Sequence, residues 1–223
     1  MEERYSKNLG ALTQNEIEQL RGKRACVVGC GGLGGYIIEF LTRIGLGKIT
    51  VVDGDSFVLS NLNRQLLSTE ALIGAGKAEA AAERVRAINS ALSVKAVPFY
   101  LTNENADGII AKHDIVLDAL DSVSSRRILV DSCARQALPL VHGAISGWRA
   151  QVSVIAANSG AFDRIYSEEA TAKQLPGLSF TPALAASIQA AEAVKILVGR
   201  EPSLQSRLLI ADLLTQEYNT VII

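Results

Sequence analysis

The run Gly29-Cys30-Gly31-Gly32-Leu33-Gly34 fits the pattern GxGxxG. Glycines in this pattern let a backbone turn sharply and approach a phosphate closely, and a helix that starts there offers N–H groups with no helical partner. Asp53 falls 19 residues beyond Gly34, where a carboxylate can accept hydrogen bonds from ribose hydroxyls. The pattern alone also serves tight helix–strand packing, and both NAD and ATP satisfy it. Further residues separate them. Ser60-Asn61-Leu62-Asn63-Arg64-Gln65 supplies a cation and amides, Lys77 a second cation, and Asp121 a carboxylate. Arg64 and Lys77 can neutralise a triphosphate, and Asp121 can hold Mg2+ through oxygen. A nicotinamide enzyme has no need of that set, so ATP is the expected nucleotide.

These residues need a scaffold that brings strand ends together. Residues 24–29 read as a short apolar strand. Leu33, Tyr36, Ile37, Phe40, Leu41 and Ile44 then recur at helical spacing, and residues 48–53 (KITVVD) form a second strand. Strand, helix, strand in this order implies a parallel sheet. The spacing predicts helices over 76–92 and 124–137 and strands over 93–97, 114–117, 139–142 and 147–156. Periodicity stops over 158–179. Thr181 and Pro182 open a helix to about residue 198, and strands over 208–210 and 218–223 close the chain. The fold class expected is α/β: a doubly wound, Rossmann-like, mostly parallel sheet with an antiparallel C-terminal extension. A single domain over 1–223 is expected, with a helical arm (1–23), a nucleotide-binding core (24–156), a crossover loop (157–180) and a C-terminal helix and strands (181–223).

Composition narrows the function. Among 223 residues, 48% are hydrophobic and 20% charged, which excludes disorder, and the formal charge of −1 gives no global field for nucleic acid. The polar start and the prolines and glycine within 174–191 argue against a leader or a membrane span, so a cytoplasmic protein is expected. Only three cysteines occur, Cys26, Cys30 and Cys133, none in a CxxC pair. Neither a disulfide framework nor a cysteine-based zinc site is expected.

The ordered motifs RYSK (4–7), GCGGLGG (29–35), VDGD (52–55), SNLNRQ (60–65), Gly76-Lys77, LDALDS (117–122) and AAEAVK (190–195) resemble the ThiF/MoeB/HesA-type adenylyltransferases, relatives of the ubiquitin-activating enzymes, over nearly the whole chain. The resemblance implies a homodimer that uses ATP and Mg2+ to activate the C-terminal glycine of a ubiquitin-like sulfur carrier ending in Gly-Gly, for thiamine or molybdenum/tungsten cofactor synthesis. It implies that Gly31 and Gly32 approach the phosphates, with Gly29 and Gly34 in the same loop. Asp53 would hold ribose, with Asp55 beside it. Asn61, Arg64, Gln65 and Lys77 would surround the triphosphate, and Asp121, followed by Ser122, would bind Mg2+. Asp118 is read as structural. A glycine carboxylate is already ionised near neutral pH, so no general base is required and His113 and His142 are read as structural.

The chain departs from that family pattern in three places. Lys7 stands where the family usually has an arginine that reaches the partner subunit's site; lysine keeps the charge and loses the planar fork. The two CxxC pairs that hold structural zinc in many members are absent; the first would fall near 162–166 (FDRIY). No cysteine lies within 158–179, so sulfur must come from a separate donor and this chain's chemistry should end at the acyl-adenylate. The loop over 163–177 could cover the carrier tail, and Trp148 and Arg149 could face the carrier, with Trp148 equally suited to a core. Two other readings remain: adenylation of a different carboxylate, on modified tRNA or a peptide, and a non-catalytic carrier-binding member.

Overall fold

The computed structural model describes residues 2–166, 175 and 177–223. The parallel strands are β1 (Arg24–Val28), β2 (Lys48–Val52), β3 (Ser93–Val97), β4 (Ile115–Asp118) and β5 (Leu140–Ser146). They are extended by antiparallel β6 (Arg149–Ile155), β7 (Arg207–Asp212) and β8 (Glu217–Ile222). The order β3-β2-β1-β4-β5-β6-β7-β8 makes one sheet. The helices are α1 (Gln14–Gly22), α2 (Gly32–Ile44), α3 (Lys77–Ile88), α4 (Ala106–Ile110), α5 (Val123–Arg135), α6 (Ala161–Ile165) and α7 (Phe180–Leu197). The doubly wound α/β class with its antiparallel extension is therefore observed.

The alternation of strand side chains sorts the core into two layers. Ala25 and Val27 of β1 join α1, α2, α3 and α7 on one face, while Cys26 and Val28 join α4, α5 and α6 on the other. The apolar stripe of α2 is buried through Leu33, Ile37, Ile38 and Leu41, and the helix ends at Gly45 in the left-handed region (φ 96). Helix α1 starts at Thr13, whose hydroxyl accepts the Glu16 N–H while the Glu16 carboxylate accepts the Thr13 N–H at 2.7 Å, a reciprocal cap.

Two local expectations are corrected. β5 runs to Ser146, well beyond 142, because a hairpin through Gly147 pairs its whole length with β6. The stretch expected to be irregular contains α6, too short to show a helical period; the rest of the expected loop falls partly outside the described residues. Phe162, where a zinc-binding pair would begin, is 2% exposed in the core instead. No described helix is long and apolar enough to cross a membrane.

The chain order reverses between β1 and β4: β1 leads outward to β2, β4 the other way to β5. Parallel sheets of this kind bind ligands in the crevice outside the carboxyl ends of strands at such a point.

Candidate active site

A cleft of about 410 Å³ lies at that reversal. Its size falls within the usual range for small-molecule sites, roughly 300–1,000 Å³. The β1–α2 turn forms its floor. Gly29 has φ 99, and a Cβ there would lie 2.5 Å from the Ala119 carbonyl oxygen, so only glycine lets the ends of β1 and β4 meet. A Cβ at Gly34 would lie 1.7 Å from the Gly29 oxygen. Gly34 is thus a packing glycine beneath the loop, whereas Gly29, Gly31 and Gly32 line the cleft with the first turn of α2. The free N–H groups of that turn suit an anion.

Asp53 follows β2 and turns back across the loop. Its carboxylate accepts the Cys30 N–H at 2.7 Å and the Asp55 N–H at 2.9 Å. Burial pushes its pKa up, and those two N–H groups pull it part of the way back. Asp55 accepts both from Lys77 Nζ at 3.0 Å and from the Tyr100 hydroxyl. The Tyr100 bond, and then Lys77, holds the Asp55 carboxyl below its ordinary range. Lys77 is 7% exposed and opens α3, whose first N–H donates to the Asp55 carbonyl at 2.9 Å. The cation is therefore fixed by main chain and side chain at the cleft wall.

Arg64 and Gln65 form the facing wall. Arg64 Nη1 donates to the Ser60 carbonyl and to Asn63 Oδ1, at 3.0 and 2.9 Å. Gln65 is 7% exposed, and its Oε1 is buried with no hydrogen-bond partner among the described residues. Asp121 is exposed on the cleft edge just past β4.

Gly29, Gly31, Gly32, Asp53, Asp55, Arg64, Gln65, Lys77 and Asp121 are thus brought together. Four other residues singled out in the sequence lie elsewhere. Asn61 is buried below the wall, where its Oδ1 accepts the Val58 N–H at 3.0 Å. Gly34 packs under the loop, and Ser122 caps α5 by accepting the Ser125 N–H. Lys7 is exposed on the N-terminal arm. That arm is held by Tyr5, whose hydroxyl accepts from Asn89 Nδ2 at 2.8 Å and whose ring lies against Gly45. Asn89 and Gly45 follow the C-terminal ends of α3 and α2, so the arm sits at the sheet edge opposite the cleft.

Several lining residues carried no sequence motif. Phe99, Tyr100 and Leu101 enter from the loop after β3; the exposed aromatic pair directly after a parallel strand was the available signal. Arg126 enters from α5, and Ile145, Leu175 and Gly177 close the far side. Beyond them Trp148 is 41% exposed and its ring lies 5.0 Å from that of Phe180, so it is a surface residue and not core.

The cysteines lie apart from this chemistry. All three are buried; burial pushes Cys133 up to about 12 and raises Cys26 and Cys30 well above the ordinary thiol value. His142 is fully buried against Asp118, and His113 bonds the Ile110 carbonyl and the Thr50 hydroxyl.

A glycine turn, a strand-end carboxylate and two basic side chains gather at a chain reversal in a protein of the doubly wound α/β class. The model of the ThiF family matches residues 5–223, and the chain belongs to that family. It is 34% identical to the SAMP-activating enzyme E1 of Haloferax volcanii, over 91% of this chain and 77% of that protein. It is likewise 34% identical to the sulfur carrier protein adenylyltransferase of Thermus thermophilus (90% and 79%), and 31% identical to the molybdopterin-synthase adenylyltransferase of Escherichia coli (90% and 83%). Among solved structures, E. coli MccB with ATP superposes with a TM-score of 0.84 at 19% identity, over all of this chain and 72% of that one. The E. coli tRNA N6-threonylcarbamoyladenosine dehydratase TcdA gives 0.75 at 24%, over 88% and 94%. Those two likenesses establish the fold.

Proposed function

We propose that this chain adenylates the C-terminal glycine carboxylate of a ubiquitin-like sulfur-carrier protein with ATP, releasing pyrophosphate, in sulfur transfer for thiamine or molybdenum/tungsten cofactor synthesis. The observation that carries the reading is the grouping of Lys77, Arg64 and Asp121 around the glycine turn, in a chain about a third identical to carrier adenylyltransferases. A carrier carboxylate oxygen attacks the α-phosphorus; the new O–P bond forms as the bond to pyrophosphate breaks. The attacking group is already ionised, so the obstacle is repulsion between anions. Lys77 and Arg64 reduce it, and the N–H groups at the start of α2 take the phosphate oxygens. Asp53 accepts the ribose hydroxyls. Mg2+ fits the donor set: Asp121 offers an exposed carboxylate free of ion pairs to described residues, and this cation is commonly held by one or two carboxylates plus substrate phosphates. When bound, it would neutralise charge on the departing pyrophosphate.

The apolar group Trp148, Phe180 and Leu175 beside the cleft suits the carrier domain, with its tail entering past Ile145 and Gly177. The buried thiols of this chain leave sulfur delivery to a separate donor. Because the arm is anchored opposite its own cleft, Lys7 can serve a nucleotide only in a second copy, which supports a homodimer with crossed arms. Carrier-dependent pyrophosphate exchange into ATP tests the reading. No exchange with any co-encoded carrier ending in Gly-Gly would overturn it.

A further inference from the structure

A closed ring of hydrogen bonds lies beneath the cleft, and the reaction above uses none of its buried members. Asp118 ends β4, and His142 stands level with it on β5. Asp118 Oδ2 accepts the His142 Nδ1–H at 2.7 Å, which leaves Nε2 as the acceptor of a neutral ring. The Tyr166 hydroxyl, at the end of α6, donates to that Nε2 at 3.2 Å. The same oxygen accepts Arg126 Nη1 at 2.8 Å and Gln151 Nε2 at 3.1 Å. One donated and two accepted bonds fill the capacity of a phenol hydroxyl.

The ring closes through the main chain. Arg126 Nη2 donates to the Leu120 carbonyl, and Asp118 Oδ1 accepts the Leu120 N–H at 2.9 Å. Both backbone polar groups of Leu120 are therefore held, one from each side. Leu120 is the residue before Asp121, whose own side chain is exposed. Asp121 thus takes its place from Leu120. The sequence carboxylate–imidazole–hydroxyl has the connectivity of a nucleophile relay, but burial raises the Tyr166 pKa, and the hydroxyl is not part of the cleft wall.

We propose that Tyr166 is a positioning residue that sets Asp121 for metal-bound ATP, acting through Arg126 and Leu120. This rests on the reading of Asp121 as the Mg2+ ligand. Tyr166→Phe keeps the ring, which packs 4.9 Å from Phe162, and strips the hydroxyl from Arg126, Gln151 and His142. Calorimetric titration of the whole chain with ATP in excess Mg2+, and with ATP in EDTA, separates the possibilities. The variant should bind ATP about tenfold more weakly than wild type with Mg2+ and within about twofold of it without, the scale of effect expected when a reacting group is displaced by part of an ångström. Equal losses in both titrations, or no loss in either, would overturn the proposal. Failure of the underlying reading looks different: wild type itself would bind ATP equally with and without Mg2+. If Tyr166→Phe does not fold, Gln151→Ala removes one donor to the hydroxyl. It should show the same magnesium-selective loss at smaller size, and an unchanged ratio there overturns the proposal equally.

Discussion

Asp53 and Asp118 stand at the carboxyl ends of the two strands that flank β1, yet they face opposite tasks. Val28 of β1 is level with both Val52 and Asp118, so Asp53 lies one residue further along than Asp118. One residue along a strand reverses the face. Asp118 therefore meets α5 and the next strand, where Arg126 and His142 use its oxygens and Tyr166 of the α6 end joins them at one remove. Asp53 turns to the glycine loop, where N–H groups hold it against the cleft. Buried side chains take up the Asp118 charge, whereas only main-chain N–H groups hold the Asp53 carboxylate, which stays at the cleft.

Four substitutions test that contrast. The largest effect should come from Asp121, the exposed carboxylate between the two regions. Asp121→Ala should cut carrier-dependent exchange by at least about 100-fold, as loss of a transition-state electrostatic group does, with the melting temperature unchanged. Retained exchange would remove Asp121 from the reaction. Next, Asp118→Asn leaves the buried Arg126 guanidinium without its counterion and the His142 Nδ1–H without its carboxylate acceptor. Breaking a buried pair costs about 3–5 kcal/mol, so the urea midpoint should fall sharply, and an unchanged midpoint would make the ring ornamental.

Asp53→Asn should do the reverse. Burial raises the folded-state pKa of Asp53, so ionisation lowers stability as pH rises through the carboxylate range, and a neutral amide avoids that loss. At neutral pH the variant should melt no lower than wild type while binding ATP about 10- to 30-fold more weakly, as expected for a lost hydrogen bond to a charged group. A lower melting temperature would erase the contrast with Asp118. The smallest effect belongs to Glu16, a carboxylate in neither region. Its bonds to Arg200 and to the Thr13 N–H lower its pKa to about 2. A depressed pKa gives stability that is present above the ordinary value, roughly 4.3, and is lost as pH falls through the folded one. Wild type should lose melting temperature more steeply than Glu16→Gln between those pH values; parallel slopes would discount the Arg200 contact.

Local patterns were legible in the sequence and distant partnerships were not. The βαβ unit from Arg24 to Asp53 could be read because its glycines and its alternating stripe act within neighbouring residues. Asp121 could be read because it stands three residues past the end of an apolar strand. The ring partners of Asp118 lie at 126, 142, 151 and 166, and each alone looks like an ordinary polar residue. The parallel β4–β5 pairing sets His142 level with Asp118, and α5, β6 and the end of α6 must each pack in place to bring up the others. Asn61 lies below the wall because a short 3-10 turn uses its side chain locally, the usual competition of asparagine for nearby backbone. Tyr100 carries no motif, as an aromatic residue in a loop matches no pattern, although it stands just past a parallel strand at the edge where such sheets bind ligands.

The three buried thiols also make the native protein its own reporter. Cys30 belongs to the layer with α2, α3 and α7, whereas Cys26 and Cys133 belong to the layer with α4, α5 and α6. Thiols this buried and this weakly acidic react with an alkylating reagent only when the layer covering them opens. The rate at which each sulfur acquires label, read by mass spectrometry of its peptide, therefore clocks the opening of each side of the sheet separately, with no probe added to the chain.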